Sequence, residues 1–315
     1  PAAPMTVVDL RSRHATADEA AARVRHVLGT TSPRAHKIDS TLRGNWPAEV
    51  AALRGAGRVV VIVPAYPAAG RVCVDGIVSE HGVPVDRSAH AGDPRSPVRT
   101  ARPASLLPGA IELDDAERLA RWLRTAAAGD AAVVDAVDDA AVEAAVAVLA
   151  ERPDVVLVGT ARVLAALVAR DAPAHGGAAS GPGIALERPV LVVAGSAHPV
   201  SRAQVALVRD AAMPSVHVLA APAERRDDPA AVVATLAAEA RRSVEALGIA
   251  TVVVLGGDTA EALIGDQVVH VHGSLGVGIA RGTVTIGGHE MTLVSKPGAF
   301  GDEFDVAARD AEREH

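Results

Sequence analysis

The chain has a single cysteine, Cys73, among its 315 residues. A disulfide within the chain and a cysteine-based zinc centre are therefore excluded. Aromatic residues make up only 2% of the sequence, so a core has to be built from Ala, Val, Leu and Ile. No apolar run approaches the roughly 20 residues that cross a bilayer. The opening stretch PAAPMTVVDLRSR has no basic segment followed by an apolar one and does not read as a signal peptide. With the cysteine count, this gives a cytoplasmic protein as the expectation. GxSxG and GxxxxGK[ST] are both missing, so neither a hydrolase elbow nor a P-loop is expected. Histidines are scattered, and only His270 and His272 sit two apart, with no third ligand at a recognisable spacing. No histidine metal site is expected. The formal charge of −7 argues against broad binding to nucleic acid or an acidic membrane, while leaving room for a local basic pocket.

Hydrophobic residues make up 49% and charged residues 22%, enough for a globular core. Val-rich runs alternate with Ala-rich amphipathic runs, the pattern of buried parallel strands joined by helices. MTVVDL (5–10) reads as a first strand, ADEAAARVRHVL (17–28) as a helix and RAHKID (34–39) as a second strand. PAEVAALR is a helix with Pro47 at a tolerated early position, and RVVVIVPA (58–65) is a buried strand. AYPAAGRVCVDG and HGVPVDRSAHAGDPRSPVRT read as long loops, a class that often carries function. Further helix–strand units follow, up to ARVLAALVAR. The Gly-, Ala- and Pro-rich segment 173–187 reads as a linker, or as a loop inside one large domain. Strand–helix units resume at RPVLVVAGS (188–196), and a glycine-rich tail suggests short strands and tight turns. The expected fold class is α/β: two domains with mainly parallel, Rossmann-like sheets, spanning 1–172 and 188–315.

HKIDSTLRGN (36–45) sets a cation, a carboxylate, hydroxyls, a guanidinium and an amide side by side. Arg43 can clamp a carboxylate and Lys37 adds positive charge. Asp39, Ser40, Thr41 and Asn45 can hydrogen-bond hydroxyls, so a small hydroxylated anion suits the set. Arg71 follows on a loop after a buried strand. The plainer reading is a solvated strand end with a helix cap at Ser40 or Thr41. In the second half, Gly256, Gly257, Asp258 and Thr259 lie between a strand and a helix, where backbone N–H groups suit a phosphate. Asp258 could equally cap that helix or help hold a metal ion. Gly195 and Ser196 repeat the pattern, and Lys296 stands near Gly298 and Gly301 in a third turn.

HKIDSTLRGNWPAEV, VPAYPAAGR, VLGGDTAEAL and VSKPGAFGDEF occur in the order seen in the four-carbon acid sugar kinases, which this chain resembles from about residue 7 to residue 304. Members are ATP-dependent kinases of tetronates such as erythronate, threonate and 3-oxo-tetronate. The resemblance implies an acid-sugar domain first and an ATP domain second, with transfer in a cleft between them and Mg²⁺ bridging the phosphates. It places Lys37, Ser40, Thr41, Arg43, Asn45 and Arg71 on the acid sugar. Ser196, Gly256, Gly257, Thr259, Gly278, Lys296, Gly298 and Gly301 fall on the nucleotide. Asp39, as base, and Asp258 are the catalytic candidates. Three departures stand out. The family's opening Asp-Asp-x-Thr-Gly unit is missing, Gly273-Ser274 replaces a usual Gly-Glu, and Pro297 and Ala299 replace a more usual Ser and Gly. They motivate an alternative, a pseudokinase that senses a sugar acid or nucleotide. A lost first strand, usually central in such sheets, would leave apolar surface to cover, so a homodimer is expected.

Overall fold

A computed structural model of the chain describes residues 7–13, 15–93, 96–149, 152, 154–171, 186–222, 228–276 and 278–298. The chain divides into two compact units, Pro1–His175 and Gly176–His315.

The first unit begins with helix α1 (Ala17–Leu28), started by a reciprocal capping box between Thr16 and Glu19. Strand β1 (Ala35–Lys37), helix α2 (Trp46–Gly55) and strand β2 (Val59–Val63) follow. A small antiparallel sheet comes next, made of β3 (Arg71–Val74), β4 (Ile77–Glu80) and β5 (Val83–Pro84). Then come β6 (Ile111–Leu113), α3 (Ala116–Leu123), β7 (Ala131–Val134), α4 (Asp139–Val148), β8 (Val155–Gly159) and α5 (Ala161–Asp171). The main sheet is parallel throughout, in the order β1-β8-β2-β7-β6. Along β2 the side chains alternate between two cores. Val60 and Ile62 join Trp46, Val50 and Leu53 on one face, while Val59, Val61 and Val63 join Leu119, Val142 and Val163 on the other. Burial on both faces is why these strands are unbroken β-branched runs. A parallel sheet sends every strand's carboxyl end to one edge, and residues 38–45, 64–71, 135–136 and 160 emerge there.

Three sequence expectations change here. Residues 7–10 form no strand: Val7 is 81% and Val8 49% exposed, and apolar residues without a neighbouring strand have nothing to pair with. Part of the stretch read as loop, AYPAAGRVCVDG, contains β3. The main sheet is hydrogen-bonded without interruption from β1 to β6, so the described strands leave no central gap for a partner to fill.

The second unit contains β9 (Val190–Ala194), α6 (Pro199–Asp210), β10 (Val216–Ala220), α7 (Pro229–Leu247), β11 (Thr251–Leu255), α8 (Gly257–Ile264), β12 (Val269–Gly276), β13 (Ile279–Ile286) and β14 (His289–Lys296). Its sheet order is β10-β9-β11-β14-β13-β12. The first four strands in that order are parallel, and β14-β13-β12 is an antiparallel meander. Helices α7 and α8 cover one face and α6 covers the other. Residues 172–185, most of the expected linker, lie outside the described residues, as does Gly301.

Candidate active site

In the first unit the segment after β1 turns back on itself around Asp39. Arg43 grips this carboxylate with two donors, Nε to Oδ2 at 2.9 Å and Nη2 to Oδ1 at 3.3 Å. The third guanidinium nitrogen, Nη1, donates to Asp93 Oδ2 at 3.3 Å. Thr41 is fully buried and donates its hydroxyl to Asp39 Oδ2. Burial of Asp39 opposes its charge. The Arg43 guanidinium, its hydrogen bonds, the Thr41 hydroxyl and the nearby Arg13 outweigh that and hold the carboxyl well below its usual range. Asn45 donates both amide hydrogens to backbone, to Ser12 O at 2.7 Å and Ala15 O at 2.6 Å. It thereby ties down the loop that carries Arg13. Lys37 is exposed and makes no ion pair or hydrogen bond among the described residues. Of the cations expected at this site, Arg43 is thus neutralised twice, while Lys37 stays available.

Arg71 opens β3 and is only 3% exposed. Its Nη1 donates to Ser40 Oγ at 2.7 Å, so two residues 31 apart in the chain meet. Nε and Nη2 donate to Glu80 Oε1 at 2.8 and 2.6 Å, and Glu80 Oε2 lies 3.0 Å from His90 Nε2. The His90 hydrogen bond and the Arg71 guanidinium draw the Glu80 carboxyl down to about 2, against a smaller opposing effect of burial. Arg13, Glu80, His90 and Asp93 are the residues that sequence reading missed. Nothing in their spacing marks them: Arg13 comes from the loop before α1, Glu80 faces Arg71 across the β3–β4 hairpin, and His90 and Asp93 share one turn after β5.

In the second unit, β9, β11 and β14 stand side by side in register, Ala194 level with Leu255 and Leu255 level with Lys296. The turns that follow them therefore meet at one edge. Gly256 N donates to Lys296 O at 2.9 Å, and Ser201 Oγ donates to Gly298 O at 2.8 Å. A side chain at Gly298 would collide with Ser196 Oγ. Gly256 has φ +119°, which only glycine adopts readily, and it packs against Ser196 and the buried Thr259. Gly256, which has no side chain to offer, is the N-cap of α8, and Asp258 and Thr259 lie in its first turn. Gly257 is exposed and Asp258 half-buried in the first turn. Lys296 is 1% exposed, with Nζ donating to Pro297 O at 3.1 Å. Gly278 has φ +72° in the β12–β13 turn. Because Ala280 pairs with Ser295, that turn lies at the same edge, beyond β14. Free backbone N–H groups and close-packed glycines suit phosphate oxygens. A Mg²⁺ ion bound largely through phosphates needs only one or two protein carboxylates, and Asp258 is the residue of this turn that could supply one. Among the described residues no group of three or more His, Cys, Asp or Glu could hold a metal ion alone, and no helix is long and apolar enough to cross a membrane.

Residues 1–167 match the family model of a sugar-binding N-terminal domain. A D-threonate kinase of Bordetella bronchiseptica is 33% identical over 328 aligned positions, covering 88% of this chain and 76% of the relative. A solved Salmonella typhimurium LT2 structure described as a tRNA synthase superposes with TM-score 0.70 at 20% identity, over 96% of this chain and 87% of that one. A Haemophilus influenzae protein of the DUF1537 family gives 0.60 at 18%, over 96% and 88%. The two superpositions carry the fold alone. The family match and the relative carry more: this chain belongs to the four-carbon acid sugar kinase family, and so to the phosphotransferases.

Proposed function

We propose that the protein transfers the terminal phosphoryl group of ATP to a hydroxyl of a tetronate, D-threonate being the first to try. The observation that carries this reading is the clustering at the carboxyl ends of the parallel strands in each unit. One edge gathers Asp39, Ser40, Arg43 and Arg71, the other Ser196, Gly256, Lys296 and Gly298. Phosphoryl transfer depends on positioning and charge neutralisation more than on a strong base. That suits Asp39, whose carboxyl is held too acidic to be a strong base but stays charged to orient the attacking hydroxyl. Lys37 is the cation available to the acid's carboxylate. The turns at the second edge bind the ATP phosphates, with Asp258 supplying a ligand to Mg²⁺. The exposed Val268 and Val271 beside and on edge strand β12 support a homodimer, and light scattering that finds only monomer would remove that part.

A coupled assay of ADP release with D-threonate, D-erythronate and 3-oxo-tetronate, with and without Mg²⁺, tests the reading. Turnover with one of them is expected. Binding of ATP and a tetronate without any transfer would favour the sensor alternative instead.

A further inference from the structure

Arg71 carries a full guanidinium charge at 3% exposure, and its surroundings run in one chemical direction. His90 Nε2 meets one oxygen of Glu80 at 3.0 Å, and Glu80's other oxygen takes Nε and Nη2 of Arg71. Arg71 Nη1 donates to Ser40 Oγ at 2.7 Å. Ser40 is 7% exposed and makes no other hydrogen bond among the described residues. A hydroxyl oxygen that accepts from a guanidinium must point its own proton elsewhere, and the adjacent positive charge makes that O–H a stronger donor. An anion is the partner such a donor favours.

We propose that Glu80, with His90 behind it, is a positioning residue that locks Arg71 so that Ser40 donates its hydroxyl proton to the carboxylate of the bound acid sugar. The inference rests on the function proposed above and deepens it. Recognition of the acid is then shared between a long-range cation, Lys37, and a short polarised hydroxyl whose direction is set from the β3–β4 hairpin. Arg43 is left to hold Asp39. A carboxylate and an imidazole that never touch substrate would thus determine how well the acid is told from the neutral polyol.

Calorimetric titration of D-threonate into the full chain, for wild type, Ser40→Ala, Glu80→Gln and the double variant, tests this. Each single change is expected to weaken binding about tenfold, the loss of one hydrogen bond to a charged group. The double variant should be no weaker than Ser40→Ala, because Glu80 acts only through Ser40. ATP affinity should be the same in all four. Where Glu80→Gln does not fold, His90→Gln, which loosens the same carboxylate, takes its place with the same expected non-additivity. Losses that add, or an unchanged affinity in Glu80→Gln, would overturn the relay while leaving the kinase reading intact. A wild type that binds no tetronate would overturn both.

Discussion

At the scale of single residues, Asp39 concentrates the chemistry. Its ordinary value of 3.8 is lowered by Arg43, Thr41 and Arg13 despite burial. The carboxylate therefore stays charged across the working range, and the activity profile should show no ionisation from Asp39 above about pH 4. Asp39→Asn keeps the shape, but removes the charge that orients the hydroxyl and releases Arg43. Turnover should fall about 100-fold, the usual size of a lost positioning contribution, with the ATP KM within about twofold of wild type. Steady-state kinetics on both substrates checks this, and near-normal turnover would remove Asp39 from the mechanism. Glu80 makes a second residue-scale case, this one for stability. Its folded value of about 2 lies below the ordinary 4.5. The stability it contributes is present in full above the higher value and drains away as pH falls through the lower one. Glu80→Gln lacks that term at every pH. The gap in melting temperature between wild type and variant should therefore shrink between about pH 6 and about pH 2. A gap that stays constant over that range would mean the ion pair contributes nothing.

Among elements, the sequence was most readable where burial on two faces forces a simple pattern. VVVIV, AAVV, VVLVG, VLVVA and TVVVL are all strands, each fully buried. ADEAAARVRHVL is a helix over Ala17–Leu28 because Thr16 and Glu19 cap one end and Gly29 follows the other. The same apolar signal failed at residues 7–10, where no second strand lies alongside. It also missed β6, whose first two residues are exposed, so that it carries no alternating pattern. The site was legible as a set of residue types and illegible as a network. Ser40 and Arg71 are both legible as candidates, yet their contact comes from the docking of the β3–β4 hairpin, and the His90–Glu80 contact from the turn after β5, neither of which spacing encodes. The turn after β14 offers an element-scale test. Gly298→Ala sets a methyl group against Ser196 Oγ and Cβ. Relieving that overlap has to move the turns after β9 and β14 apart. ADP affinity should drop about tenfold or more, with D-threonate affinity unchanged, since a misplacement of about 1 Å is costly at such a site. Equal affinity for ADP would mean that these turns do not hold the nucleotide.

For the molecule as a whole, each of the two units has its own sheet and its own pair of cores. Units with separate cores open separately, and a ligand raises the protection of the amides in the unit that binds it. Hydrogen exchange on the intact chain can therefore assign the ligands one at a time. D-threonate alone should slow exchange at 38–45 and 71–80, the segments joined by the Ser40–Arg71 contact. ATP with Mg²⁺ alone should slow exchange at 195–201, 256–260 and 296–298, the turns that meet through Gly256 and Gly298. Saturation at about 100 times Kd corresponds to about 2.7 kcal/mol for openings that release the ligand, roughly a hundredfold in rate and easily read. The pattern is discriminating because each ligand is expected to protect a different unit. D-threonate protecting the turns of the second unit, or ATP protecting 38–45, would exchange the roles given to the two halves. Protection of all five segments by either ligand alone would mean that the units do not open independently.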